Sequence, residues 1–251
     1  MISRTRLKFL RSLKRKKLRD EAGLFVVEGF NLVEEAVATG HARELFFSDT
    51  ASAHPRARAL RDSDLPWSDL EVGDVAALAE TQTPAGAFAL VESPWRDFDL
   101  RLLPDRCLVL LAAGVSDPGN LGTLVRTAAA LGAAAAVTAP GTVEPLNPKA
   151  VRATAGALFR VPVVCADAAL LKEAGFFLCI ADAGGEPVTA WTKRPARLAL
   201  AVGSEPHGVD DSTRALADGS LAVTLQGDVE SLNVTVAAGI LLNALKALPF
   251  E

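Results

Sequence analysis

Residues 231–239 (SLNVTVAAG) place polar groups at the start of an apolar run, an arrangement that suits a ligand site. The stretch has no Lys, Arg, Asp or Glu, and Asn233 and Thr235 precede apolar sequence that continues to Leu245. Such a run predicts a helix packed into a core, and Ser231 is positioned to cap its start. Polar side chains beside the free N–H groups of a helix start can bind a ligand. The alternative is a capped core helix whose polar groups are satisfied internally.

Two further polar loops follow predicted strands. Residues 116–126 (SDPGNLGTLVR) enter a helix that carries Asn120 and Arg126, and residues 202–208 (VGSEPHG) place Glu205 between two glycines. Each loop alone is a weak signal, because Gly-rich turns follow strands in many folds. Neither contains the dinucleotide GxGxxG motif or a P-loop, which argues against NAD and ATP as ligands.

The C-terminal half must supply the scaffold for these loops. Strands are predicted at residues 107–112, 134–138, 161–164, 176–181, 198–202 and 221–225. Helices are predicted at residues 121–131, 148–158, 166–174, 211–216 and 233–248. The alternation predicts an α/β domain whose mainly parallel sheet is covered on both faces. Ligands of such sheets lie at the carboxyl ends of the strands.

A smaller alternating α/β unit is predicted before it. Its strands are expected at residues 24–27, 44–48 and 87–92, with residues 67–70 ambiguous. Residues 93–105 (SPWRDFDLRLLPD), with two prolines among charged residues, are interpreted as a linker. The predicted organisation is therefore a basic N-terminal arm (1–19), a small domain (20–92), the linker (93–105) and a larger domain (106–251).

The charge of the chain is unevenly distributed. Residues 1–19 hold nine basic side chains and no acid, whereas the remaining sequence has 17 basic and 30 acidic residues. A basic arm on an acidic body suits contact with phosphates. A solvated, partly helical tail is the alternative, so the arm supports a nucleic-acid partner only if the rest of the chain agrees.

Several classes of protein are disfavoured by composition. The three cysteines, Cys107, Cys165 and Cys179, lie in apolar runs and are expected to be reduced core thiols of a cytoplasmic protein. The three histidines show no metal-ligand spacing, so no metal is expected. His207 lacks a nucleophile elbow, and no apolar run is long enough to span a bilayer.

Four motifs in register resemble the SPOUT-class RNA methyltransferases, in particular the SpoU or TrmH-like branch that methylates ribose 2′-hydroxyls. The family's Asn-x-Gly-x-x-x-Arg motif matches residues 120–126, its strand followed by Gly-x-Glu matches residues 200–205, and its Ser-Leu-Asn-Val-Ser-Val-Ala motif matches residues 231–237. Residues 147–157 (NPKAVRATAGA) look like the family's helix after the second strand. Residues 24–92 are similar to its substrate-binding domain, which is like ribosomal protein L30e.

The sequence departs from the family pattern at two positions. Pro206 replaces the usual glycine after Glu205, which fixes φ and removes one backbone donor. Thr235 replaces the usual serine, which keeps the hydroxyl and adds a methyl group.

The resemblance implies an L30e-like N-terminal α/β domain and a SPOUT α/β domain with a parallel sheet and a deep C-terminal trefoil knot. Knots are nearly absent from other proteins. In the family the knot cradles S-adenosylmethionine, and by position Gly203, Val223, Leu225, Leu232 and Asn233 would contact this cofactor. The family also forms homodimers through this domain.

The resemblance implies catalytic roles for residues of all three loops. Arg126 is the central candidate, and an arginine that stays protonated is better suited to bind a phosphate and orient the ribose hydroxyl than to act as a base. Glu205 would orient Arg126 or Asn120. Asn120, Asn233 and Thr235 would hold the ribose or the cofactor carboxylate.

RNA is the implied partner, and the type of N-terminal domain favours 23S ribosomal RNA over transfer RNA. Transfer-RNA methylation and a non-catalytic RNA-binding or ribosome-assembly module remain the alternatives. Phosphate contacts are expected from basic residues of the arm and the two motif helices: Arg4, Arg6, Lys8, Arg11, Lys14, Arg15, Arg126 and Arg152.

Overall fold

A computed structural model describes residues 1–95, 97–204, 207–227 and 231–250. The chain forms two compact units. Unit 1 comprises Met1–Arg96 and Leu146–Phe159, and unit 2 comprises Asp97–Pro145 and Arg160–Glu251. The segment Leu146–Phe159, which the sequence analysis places in the larger domain, thus belongs to unit 1.

The helices and strands follow the alternation that the sequence predicts. The helices are α1 (Arg4–Ser12), α2 (Lys16–Ala22), α3 (Phe30–Ala38), α4 (Asp49–Ser52), α5 (Pro55–Arg61), α6 (Val72–Leu78), α7 (Pro118–Ala130), α8 (Pro148–Ala153), α9 (Ala168–Glu173), α10 (Asp211–Ala215) and α11 (Val234–Ala247). The strands are β1 (Leu24–Glu28), β2 (Ala42–Ser48), β3 (Trp67–Leu70), β4 (Ala87–Glu92), β5 (Cys107–Ala113), β6 (Ala135–Thr138), β7 (Val163–Cys165), β8 (Phe177–Pro187), β9 (Arg197–Gly203) and β10 (Gly219–Ala222). Within the described ranges, no helix is both long and apolar enough to cross a membrane.

Unit 1 is built on a sheet with the strand order β1-β4-β2-β3. The central strand β4 is antiparallel to β1 and β2, and β3 runs parallel to β2 at the edge. The ambiguous residues 67–70 are therefore a strand, because pairing with β2 satisfies their backbone groups. Helix α8 packs against β1.

The basic segment at the N-terminus is part of the core of unit 1. Leu10 and Leu13 are 1% and 3% exposed and pack with Phe46 and Phe88. The buried side chain of Arg19 donates hydrogen bonds of 2.8 Å to the carbonyl oxygens of Leu13 and Lys14. Residues 1–19 thus form two helices within unit 1 instead of a solvated tail, because apolar residues spaced at three give α1 a face to bury.

Unit 2 contains a sheet with the strand order β10-β8-β9-β5-β6-β7. Each neighbouring pair is parallel, which confirms the predicted α/β architecture. All residues of β5 are buried, as expected for a strand covered on both faces. Leu100 and Leu103, from the predicted linker, pack into this core, and their carbonyl oxygens accept hydrogen bonds from Arg197.

The three cysteines of unit 2 differ in environment. Cys107 and Cys179 are buried, and desolvation raises the pKa of the Cys179 thiol to about 12. Cys165 is exposed, so the expectation of a core thiol is wrong there. The physical reason is position, because Cys165 ends β7, the edge strand of the sheet.

Candidate functional site

A cavity of about 500 Å³ lies at the carboxyl ends of β8, β9 and β10 in unit 2. This volume falls within the range of small-molecule sites, about 300–1,000 Å³. Ser231, Leu232 and Val234 close one wall, together with Ala237 and Leu241 of α11. The position agrees with the rule for parallel sheets, because ligands bind beyond the carboxyl ends of the strands.

Gly203 ends β9 in the cavity wall, and the chain approaches it too closely for any side chain. A Cβ at this position would lie 1.8 Å from the carbonyl carbon of Gly208 and 2.1 Å from the amide nitrogen of Val209. Ser204 and Gly208 pair through two backbone hydrogen bonds, of 2.9 and 2.8 Å. Only glycine therefore fits at this position in the cavity wall.

Asp182 is a lining residue that the sequence did not single out. Residues 181–185 bulge out of β8, because β10 pairs first with Cys179 and Ile180 and then with Glu186 and Pro187. The bulge places Asp182 in the cavity wall, where it is the single acidic residue among the described lining residues. No motif marked it, and the bulge depends on pairing with a strand about 40 residues further along the chain.

The Asp182 carboxylate is held on two sides. It accepts a 2.9 Å hydrogen bond from the Gly184 amide and forms a 2.7 Å ion pair with Arg214 of α10. The Gly184 amide and then the Arg214 guanidinium hold the pKa of this carboxyl below its usual value. Asp182 is therefore a fixed negative charge at neutral pH, with lone pairs still available to accept hydrogen bonds.

Three predicted polar residues meet beside the cavity, and we call Asn120, Asn233 and Thr235 the polar trio. The Thr235 hydroxyl donates to Asn233 Oδ1 at 2.6 Å, and Asn233 Nδ2 donates to Asn120 Oδ1 at 3.4 Å. Asn233, not Ser231, caps α11 by accepting from the Thr235 amide at 2.9 Å. The cap predicted at Ser231 is wrong because the helix begins two residues later.

Arg126 lies in the middle of α7, on the same helix as Asn120. Asp117 caps this helix by accepting from the Asn120 amide at 2.8 Å, so the Asn120 side chain is not needed as a cap. The Arg126 side chain is exposed and has no hydrogen-bond or ion-pair partner among the residues that the structure describes. Its guanidinium is thus available for an anionic ligand.

The other predicted site residues are placed as follows. Gly203, Val223, Leu225 and Leu232 line the cavity, whereas Asn233 is not among its described lining residues. Glu205 and Pro206 lie outside the described residues. In the described ranges no group of His, Cys, Asp and Glu side chains is arranged to hold a metal ion.

Comparison with known proteins finds a family model that matches each half of the chain. Residues 107–243 match the model of the SpoU rRNA Methylase family, and residues 4–89 match that of the MRM3-like substrate binding domain. The chain is 34% identical, over 96% of its length and 96% of the relative, to the 23S rRNA (guanosine(2553)-2′-O)-methyltransferase RlmP of Bacillus subtilis.

Solved structures resemble the fold over nearly the whole chain. The SpoU methyltransferase AviRb from Streptomyces viridochromogenes, in complex with the cofactor AdoMet, has a TM-score of 0.85 at 26% identity and covers 97% of both chains. An AdoMet-bound rRNA methyltransferase from Sinorhizobium meliloti has a TM-score of 0.82 at 25% identity, over 98% of this chain and 96% of its own. With its family match, its full-length relative and its fold in agreement, this chain belongs to the SpoU rRNA methylase family.

Proposed function

We propose that the protein is an S-adenosylmethionine-dependent methyltransferase that methylates a ribose 2′-hydroxyl of 23S ribosomal RNA. The observation that carries this proposal is the cavity at the carboxyl ends of β8, β9 and β10, bordered by the polar trio. Membership of the SpoU family and the full-length similarity to a 23S rRNA 2′-O-methyltransferase support the reaction and the substrate.

The residues of the cavity fit S-adenosylmethionine in size and chemistry. A volume of about 500 Å³ with apolar side chains such as Leu225 and Leu232 offers a slot for an adenine ring. Gly203 has no side chain and therefore contributes only backbone atoms to the cavity wall. The negatively charged Asp182 carboxylate can accept hydrogen bonds from hydroxyl or ammonium groups of the cofactor. When bound, S-adenosylmethionine supplies an activated methyl group.

The chain's own residues would position the substrate. Arg126 would bind a phosphate next to the target nucleotide with its guanidinium and so orient the ribose hydroxyl. The polar trio would hold the ribose, because side-chain amides and hydroxyls can both donate hydrogen bonds to and accept them from sugar hydroxyls. Glu205, which lies outside the described residues, keeps the role of orienting Arg126 or Asn120 in this proposal.

The proposal includes a homodimer and a cytoplasmic location. Val236 and Ile240, one turn apart on α11, are 49% and 41% exposed, and such an apolar strip supports pairing with a second copy. The trefoil knot implied by the family remains a prediction. A cytoplasmic location follows from the proposed ribosomal substrate.

Calorimetry with S-adenosylmethionine and mapping of 2′-O-methyl groups test this function. We expect the protein to bind the cofactor and to restore one 2′-O-methylated nucleotide in 23S rRNA from cells that lack it. A new modification found only in transfer RNA would show that transfer RNA, and not 23S rRNA, is the substrate. Absence of cofactor binding would favour a non-catalytic RNA-binding module.

Asp182 gives a second test of the proposed cofactor site. We expect Asp182→Asn to weaken S-adenosylmethionine binding by about tenfold, because a hydrogen bond to a charged group contributes about 1.5–3 kcal/mol. Isothermal titration measures the change. Asp211→Asn on α10 is the matched control, since it removes the same charge outside the described cavity lining. Equal affinities for the Asp182 variant and the unmodified protein would exclude Asp182 from cofactor binding.

A further inference from the structure

The exposed face of α1 carries a row of cations. Arg4, Lys8 and Arg11 are spaced by four and three residues, which places them on one face of the helix over about 10 Å. Arg15 continues the row in the turn before α2. All four side chains are exposed. We call Arg4, Lys8 and Arg11 the basic stripe.

Apart from Arg15, the other basic side chains of this segment are engaged within unit 1. Arg6 pairs with Glu44 at 2.5 Å, and Lys14 pairs with Glu80 at 3.1 Å. Lys16 and Lys17 pair with acids one turn further along α2, at 2.5 and 3.8 Å. Arg19 is buried against backbone carbonyl groups. In contrast, the stripe has no hydrogen-bond or ion-pair partner within the described part of the chain.

This division separates cations that are paired within unit 1 from cations that are available to a ligand. Three adjacent unpaired cations repel one another at helical spacing, so no ion pair within the fold accounts for their row. Their row suits a polyanion whose charges repeat along a line, which is the property of a nucleic-acid backbone.

The burial of the opposite face of α1 decides between two kinds of anionic partner. A basic amphipathic helix that binds membranes inserts its apolar face into the lipid. Here that face contains Leu10 and is joined by Leu13 in the core of unit 1, so it is not available for insertion. The exposed stripe can therefore contact a charged backbone but cannot anchor the protein in a bilayer.

We propose that the basic stripe of α1 is a sequence-independent contact for the RNA phosphate backbone, while Arg6 and Lys14 have structural roles. This inference rests on the proposed function, because RNA is the substrate there. It also revises the set of expected phosphate contacts. Arg152 of α8 is only partly exposed and borders a small cavity with Lys14 and Arg19, so it does not extend the stripe.

The salt dependence of RNA binding by two charge-matched variants tests the stripe. Deleting the segment is unsuitable, because it would remove Leu10 and Leu13 from the core. We expect Lys8→Gln/Arg11→Gln to lower the slope of log affinity against log salt by about 1.4 and to weaken oligouridylate binding about twentyfold at about 0.1 M salt. Lys16→Gln/Lys17→Gln removes the same charge from paired lysines and should leave both values nearly unchanged.

The outcomes separate this inference from the proposed function. Equal slopes of log affinity against log salt for the two double variants would overturn the proposed RNA contact of the stripe. The absence of salt-dependent RNA binding by the unmodified protein would do the same. So would binding of the unmodified protein to vesicles of anionic lipid in place of RNA. Cofactor calorimetry should give the same affinity for all three proteins, and a failure to bind cofactor would count against the proposed reaction alone.

Discussion

Replacing Gly203 with alanine is expected to weaken S-adenosylmethionine binding by about a hundredfold, the equivalent of about 3 kcal/mol. The added Cβ would lie 1.8 Å from the carbonyl carbon of Gly208 and 2.0 Å from its oxygen. Backbone atoms cannot rotate away as a flexible side chain can, so the backbone at Gly208 and Val209 must shift. Since Ser204 and Gly208 line the cavity, their displacement deforms the proposed cofactor site.

Calorimetry of the Gly203→Ala variant measures the loss, and Gly239→Ala provides the control. Gly239 lies on α11 in the same unit, and a Cβ there would meet only Thr127 Cγ2 at 3.5 Å, an ordinary contact. We expect the control to bind cofactor normally and to be slightly more stable, because alanine favours a helix by about 1 kcal/mol over glycine. Circular dichroism establishes that both variants fold. A folded Gly203→Ala variant with unchanged affinity would place the cofactor elsewhere.

The strands of unit 2 were predictable because their sequence pattern has one physical cause. A parallel strand with helices on both faces must be apolar throughout, and β5 is buried along its whole length. The α/β class and the position of the site at the carboxyl ends follow from this pattern. The start of α7 was also marked in the sequence, by Asp117 and Pro118, although the prediction placed it three residues late.

Asp182 could not be found in this way, because its position depends on contacts that are distant in sequence. The bulge that exposes it is set by pairing between β8 and β10, and its charge partner Arg214 lies on α10. The capping residue of α11 was missed for a related reason. Ser231 and Asn233 are both good caps, and the choice between them depends on where the preceding chain enters the helix.

The basic segment shows how charge can obscure a core element in a sequence. Nine cations among residues 1–19 favour a solvated tail, yet Leu10 and Leu13 belong to the core. The spacing of these leucines was visible, but a helix this short is stabilised mainly by packing against the rest of the protein. Packing against α6 and the sheet of unit 1 supplies that stabilisation.

Replacing Arg126 with lysine is expected to lower the methylation rate by about a hundredfold, the loss typical of a misplaced reacting group. Lysine keeps the positive charge but lacks the planar fork that holds a phosphate with two hydrogen bonds. The exposed Arg126 side chain has no partner in the described residues, so the substitution breaks no internal contact. Fold and cofactor affinity should be unchanged, which assigns the loss to the handling of the RNA.

Single-turnover methylation of the rRNA substrate separates orientation from binding. At saturating RNA, a slow Arg126→Lys variant has lost positioning of the ribose hydroxyl, whereas a variant rescued by excess RNA has lost only affinity. Arg101→Lys is the matched control, since Arg101 is an exposed arginine of unit 2 that pairs with Asp99 at 2.8 Å. Full activity of Arg126→Lys would show that a single positive charge at position 126 is enough for methylation. In that case the guanidinium geometry plays no part in orienting the nucleophile, and the polar trio around Asn233 must provide that orientation.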